Sequence, residues 1–217
     1  PKPRPFSVKL SHDIDQVRHI TGPVSAIRML AGDIIKRRNA DQAWNTLQDI
    51  ARLPFSPAKN LYFRRIFFLA ELSRRYEMNS AFYFLATRDA DPFQRRIGYD
   101  PSLTWIKQGI QDLQENGFEI GLHASYNTLG NAQLLTAEKA KLDQVFGHSR
   151  YGGRQHYLRF EAPTTWRHWE EVGLVYDSTV GYADCEGFRC GTCHPFHPFD
   201  IEQDRELRIW EWPLIAM

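Results

Sequence analysis

Short apolar runs that alternate with helix-forming segments constrain this chain more than any other feature. SAFYFLA (80–86) is a continuous apolar run of strand length. PFSVKLSH (5–12) alternates Phe6, Val8 and Leu10 against Ser7, Lys9 and Ser11, the period of a half-buried strand. FEIGL (118–122), RQHYLRF (154–160), LVYDS (174–178) and LRIWEW (207–212) read as further strands. Between them, NLYFRRIFFLAELSRRY (60–76) and PSLTWIKQGIQDLQENG (101–117) suit helices. TAEKAKLDQVFG (136–147) reads as a helix with Thr136 as N-cap and Gly147 just past its end, and TTWRHWEEVG (164–173) as another. Residues 17–79 read mostly as helix and loop, an insertion before the second strand. The alternation predicts an α/β fold with about six parallel strands. Two architectures fit, a barrel missing its last element or an open doubly wound sheet, and both put functional residues at the C-terminal ends of the strands.

The 217 residues show no repeat, low-complexity tract or linker, so one domain over 1–217 is expected. Net charge is +1, which gives no strong overall field toward nucleic acid or an anionic membrane. Aromatic residues make up 13%, enough for a core and for a cleft that stacks on sugar rings. No apolar run approaches the roughly 20 residues that span a bilayer. The chain opens on Pro1 and stops at EWPLIAM, and both termini are expected to be cut. Three cysteines between 185 and 193 form no disulfide framework, which favours a reducing, cytoplasmic setting.

The strand ends carry the candidate chemistry. Asp13 and Asp15 follow the first strand; two carboxylates two residues apart point the same way if the chain stays extended, so one suits a metal and the other a base. The alternative is a helix cap. His123 and Asn127, after the third strand, are four apart and share a face if one helical turn joins them. In RQHYLRF, alternation puts Arg154, His156 and Leu158 on one face and Arg159 on the other. Either arginine suits a carboxylate partner, and His156 reads as a further metal nitrogen or an ordinary strand residue. Asp177 reads as a supporting carboxylate or a turn former.

The stretch CGTCHPFHPF (190–199) has the spacing of a haem attachment motif and, with Cys185, the outline of a zinc cluster. Pro195 and Pro198 do not suit a haem-bearing helix, and Cys193 beside His194 is an unusual ligand pair. Both readings rank below one in which the chemistry lies at the strand ends.

Taken in order, SHDID, FEIGLHASYN, RQHYLRF and GLVYDSTVGYADCEGFRCGTCHPF resemble the polysaccharide deacetylase superfamily, the NodB-homology or family-four carbohydrate esterases. They are most similar to a bacterial branch that opens on His-Asp-Val-Asp and carries a helical insertion. The resemblance implies an irregular (β/α)7 barrel and a metal-dependent hydrolase of carbon–nitrogen bonds that removes N-acetyl groups from a sugar or polysaccharide. It implies Asp13 as catalytic base, Arg154 or Arg159 as its partner, and Asp15, His123 and Asn127 as ligands of a divalent metal, zinc foremost. Asn127 departs from the family's second histidine, and His156, His194 or His197 would then make up the ligand set. Asp177 and Arg189 become additional metal or substrate residues, with Arg189 on a loop at the rim of the cleft. The implied partner is carbohydrate, with no nucleic acid and no membrane span. A non-catalytic glycan-binding barrel is the alternative.

Overall fold

Six strands form one sheet in the order β1 (Lys9–Ile14), β2 (Asn79–Phe84), β3 (Glu119–Ala124), β4 (Gly153–Gln155), β5 (Tyr176–Asp177) and β8 (Trp210–Glu211), and every neighbouring pair is parallel. A two-stranded antiparallel ribbon, β6 (Phe199–Asp200) and β7 (Arg205–Glu206), lies in the excursion between β5 and β8. The computed structural model describes residues 6–18, 20–88 and 98–217. Pro5, at the start of the expected first strand, lies outside them.

Helices α1 (Pro23–Ala31), α2 (Ala40–Arg52) and α3 (Leu61–Arg75) all fall between β1 and β2, in the stretch expected to be mostly helix and loop. After them, α4 (Thr104–Glu115), α5 (Ala132–Phe146) and α6 (Thr164–Glu171) alternate with strands. The cap of α5 differs from the expectation. Asn131 is the N-cap and accepts from Leu134 N at 3.0 Å, while Thr136 sits inside the helix, bonded to the Ala132 carbonyl. Thr and Asn both cap well, and the Asn came first. Gly147 ends α5 in the left-handed conformation, as expected.

Phe82 and Phe84 point to the helix side of the sheet, where they join Phe63 and Ile66 of α3, Ile106 and Ile110 of α4, Leu135 and Leu142 of α5, and Trp169 of α6 in one core. Ala81 and Tyr83 point to the other face and pack with Tyr176. A strand buried on both faces is why SAFYFLA reads as an unbroken apolar run.

The sheet is strongly curved. Strands lie about 4.8 Å apart, so in a flat sheet β1 and β5 would be separated by about 19 Å. Yet Lys9 Nζ, on β1, lies 4.6 Å from the Tyr176 ring of β5 and 4.3 Å from the ring of Trp212, just past β8. Only a sheet that curls toward itself brings these groups together. The sequential strand order also lacks the reversal that defines a doubly wound sheet.

Glycines permit the tight approach of β3 and β4. A Cβ on Gly153 would fall 1.9 Å from the Leu122 carbonyl oxygen, and one on Gly152 would fall 2.3 Å from the Tyr176 ring. The expected strand RQHYLRF is cut short. β4 ends at Gln155, and a 3-10 turn, His156–Leu158, follows with Tyr157 and Leu158 both at positive φ. The alternation assigned to Arg154, His156 and Leu158 does not apply past Gln155, because the chain leaves the sheet there.

Candidate metal centre and its base

Asp13 is the penultimate residue of β1, and Asp15 follows its end. Arg154, on β4, donates from Nη1 to Asp13 Oδ1 at 3.0 Å. The same guanidinium donates from Nη2 to Ser11 Oγ (2.8 Å) and Ser178 Oγ (3.0 Å), and from Nε to the Ser178 carbonyl (2.9 Å). Four bonds to β1 and to the segment after β5 hold the arginine in one orientation, and both side chains of the pair are largely buried. Of the two arginines that suited this role, Arg154 occupies it. Arg159 instead donates to the Tyr126 carbonyl and lies over the Tyr126 ring, 3.8 Å from its centroid.

Asp15 is positioned from below. Tyr99 is fully buried; its hydroxyl donates to the Ile14 carbonyl at 2.7 Å and accepts from Leu85 N at 3.1 Å. Gly98 N donates to the Asp15 carbonyl at 3.1 Å. Gly98 has φ +96° and a Cβ there would meet the Thr87 carbonyl at 2.4 Å, so glycine is required.

Asp15 Oδ1 lies 3.2 Å from His123 Nε2 and 3.6 Å from His156 Nδ1, and the two nitrogens are 3.0 Å apart. Both histidines are buried. The Arg154 carbonyl lies 3.0 Å from His123 Nδ1. A carbonyl oxygen only accepts, so in the neutral ring Nδ1 carries the hydrogen and Nε2 keeps a lone pair directed at Asp15 and His156. Burial alone would push the His123 imidazole down; the charges of Asp13 and Asp15 and the Arg154 carbonyl outweigh it, and the net shift is upward. The pocket favours positive charge at this point.

The spacing fits a metal ion. Two ligands about 2.05 Å from a tetrahedral zinc stand about 3.3 Å apart, and on an octahedral ion with similar bonds about 3.0 Å. The three observed separations, 3.0, 3.2 and 3.6 Å, bracket those values. Two imidazole nitrogens and a carboxylate are also the donor set of many zinc sites with open positions.

Asn127 is not part of this cluster. His123 lies in β3 and Asn127 in the 3-10 turn Tyr126–Thr128, so no α-helical turn joins them. Asn127 is exposed, and no hydrogen bond ties it to the three residues. His156 stands with Asp15 and His123, carried there by the turn after β4. His194 and His197 do not join either. His194 is exposed, and His197 bonds the Ile209 carbonyl and packs on Trp210. Among the described residues, Asp15, His123 and His156 are the one group of His, Cys, Asp and Glu with metal-ligand spacing.

A second set of buried polar side chains supports the site, with little sign of it in the sequence. Gln155 Nε2 donates to the Ser125 carbonyl (2.7 Å) and Thr128 Oγ1 (2.8 Å), and Glu138 accepts from Ser125 N at 3.0 Å. These bonds tie α5 to the loop after His123 and to the end of β4, just before His156. Asp177 is fully buried and accepts from Thr179 N at 3.0 Å; it makes no contact with the cluster. Its register partner on β8 is Glu211, also fully buried, which accepts from Trp166 Nε1 at 2.8 Å. Burial pushes Asp177 up to about 6. Burial, and then the charge of Asp177, push Glu211 up to about 9. Burial of two carboxyls in register with each other favours the protonated form of the pair. An acid between two tryptophans in LRIWEW was the available signal for Glu211.

Arg189 donates to the Gly181 carbonyl at 3.0 Å and braces its own loop. Cys185 and Cys193 are exposed, Cys190 is half-buried, and all three are free. Burial, then Glu211 and Asp177, push the Cys190 thiol up to about 12. Among the described residues, no cysteine belongs to a group with metal-ligand spacing.

No helix among the described residues is long and apolar enough to cross a membrane. No family model matches the chain, and no curated protein matches it.

Proposed function

We propose that the chain is a metal-dependent hydrolase of carbon–nitrogen bonds that removes acetyl groups from an N-acetylated sugar or polysaccharide, and that its curled sheet belongs to an irregular (β/α)7 barrel of the polysaccharide deacetylase kind. The observation that carries this reading is one carboxylate, Asp13, clamped by Arg154, beside a second, Asp15, that converges with His123 and His156. A base and a metal centre, side by side at the C-terminal ends of parallel strands, are what amide hydrolysis needs.

Asp15, His123 and His156 would hold the ion, which supplies a Lewis acid to polarise the amide carbonyl when bound. Asp13 takes the proton of the attacking water, and Arg154 holds the carboxylate in place. His123 gives its Nδ1 hydrogen to the Arg154 carbonyl, so one residue orients both the base and a ligand. Tyr157 is exposed at the rim, its ring 5.9 Å from that of Tyr126. The exposed Tyr157 ring suits stacking on a sugar face. The overall change is amide plus water to acetate plus free amine.

The test is acetate release from N-acetylated glucosamine oligomers by metal-loaded protein, with Asp13→Asn as control. Release by the parent chain and none by the variant, with the metal still bound in both, supports the reading. Saturable glycan binding that chelator leaves unchanged, without turnover, would replace it with that of a glycan-binding barrel.

A further inference from the structure

The helical insertion carries a charge that the rest of the chain opposes. Residues 23–76 hold ten Lys and Arg against four Asp and Glu, a net of +6, while the rest of the chain is at −5. All ten cations are exposed, whereas two of the four acids, Asp33 and Asp49, are buried. A near-neutral total thus conceals a strongly basic segment.

The same segment exposes aliphatic side chains. Val24 and Ile27, three apart on one face of α1, are both exposed, Ile27 at 70%. Ile34 and Ile35 follow on the π-helical turn Gly32–Lys36, Ile35 at 74%. Arg28 and Lys36 adjoin them in sequence and are exposed as well. The one acid of this stretch, Asp33, is fully buried and pairs with Arg37 and Thr46.

We propose that this surface, Val24 to Arg38, docks on an anionic lipid surface. Lipid accepts both parts of it, the headgroups taking the cations and the acyl boundary the aliphatic side chains. A second copy of the chain is the poorer occupant, because a two-fold contact sets this net-positive surface against another like it. Nucleic acid would satisfy the cations and leave the four aliphatic side chains in water. The proposal is independent of the amidohydrolase reading and needs no catalytic activity.

Flotation of the chain with vesicles tests it. Vesicles of equal parts phosphatidylglycerol and phosphatidylcholine should carry the protein up, those of phosphatidylcholine alone should not, and high salt should weaken the association. Ile27→Asp with Ile35→Asp should abolish flotation, and Arg28→Glu with Lys36→Glu should weaken it more than about tenfold. Circular dichroism establishes that each variant is folded; should the isoleucine pair not fold, the Arg28/Lys36 pair reads the same surface. No flotation with the mixed vesicles overturns the proposal, as does flotation unchanged in both variants. It is also overturned by variants that alter only a concentration-dependent dimer, or by retention on a DNA duplex without vesicle binding.

Discussion

Arg154 Nη1 stands 3.0 Å from Asp13 Oδ1 although their strands, β4 and β1, are three places apart in the sheet. In a flat sheet those strands would be about 14 Å apart. The curl of the sheet therefore brings a guanidinium across the interior to a carboxylate that stands beside the candidate metal cluster.

This pair is buried, so removing one partner should be costly. Arg154→Met leaves the Asp13 carboxylate without its counter-charge and frees the Ser178 carbonyl. It should destabilise the protein by about 3 kcal/mol in urea denaturation. Arg154→Lys should recover little of this, because an ammonium cannot reproduce the four-bond fork. A loss within about 0.5 kcal/mol for both variants would show that the pair behaves as a surface ion pair.

The close contact of β3 and β4 depends on a missing side chain. Gly153→Ala places a methyl against the Leu122 carbonyl and should cost about 1–3 kcal/mol by overpacking. Because Gly153 immediately precedes Arg154, metal affinity should fall with stability. Thermal melts and zinc titration on the same sample check both.

How far the sequence revealed this arrangement follows from what kind of signal each residue carries. The β/α alternation, the insertion, and Asp13, Asp15 and His123 at strand ends were legible, because strand period and apolar runs are local properties. The choice between Arg154 and Arg159 was not, since it depends on which one the curl aims at β1. The spacing of four between His123 and Asn127 carries little information, because His123 lies in a strand and Asn127 in a 3-10 turn, where that spacing does not fix a shared face. His156 could not be separated from a plain strand residue, because the positive-φ turn at Tyr157 and Leu158 that carries it out of the sheet uses no glycine. Thr136 reads as a cap because threonine caps well, but Asn131, an equally good cap, stands a turn earlier and starts the helix.

The Asp177–Glu211 pair predicts a pH dependence. Glu211 holds its proton up to about 9 in the folded state, against an ordinary value of 4.5. Above 4.5 the unfolded chain releases that proton while the native state keeps it, so this contribution to stability falls as pH rises from 4.5 toward about 9. Glu211→Gln keeps an acceptor for Trp166 and a donor for Asp177 without titrating. Its melting temperature should fall less steeply than the parent's between pH 5 and 9. Parallel curves would remove the shared proton from the account.

The cysteines should be dispensable for metal. Cys185 and Cys193 are exposed and should react with iodoacetamide at neutral pH. Cys190, pushed up to about 12, should remain thiol and be labelled only on unfolding. Mass spectrometry of the native protein should find two adducts. A Cys190→Ser, Cys193→Ser variant should keep its full metal content.

The central claim is that Asp15, His123 and His156, and not Asn127, make the metal centre. Zinc titration with a competing chelator, on the parent chain and on His156→Ala and Asn127→Ala, tests it most directly. The parent should bind about one ion per chain, Asn127→Ala should bind within about threefold of it, and His156→Ala should bind more than about a hundredfold more weakly. Retention of zinc by His156→Ala with loss in Asn127→Ala, or no stoichiometric binding by the parent, would contradict the account.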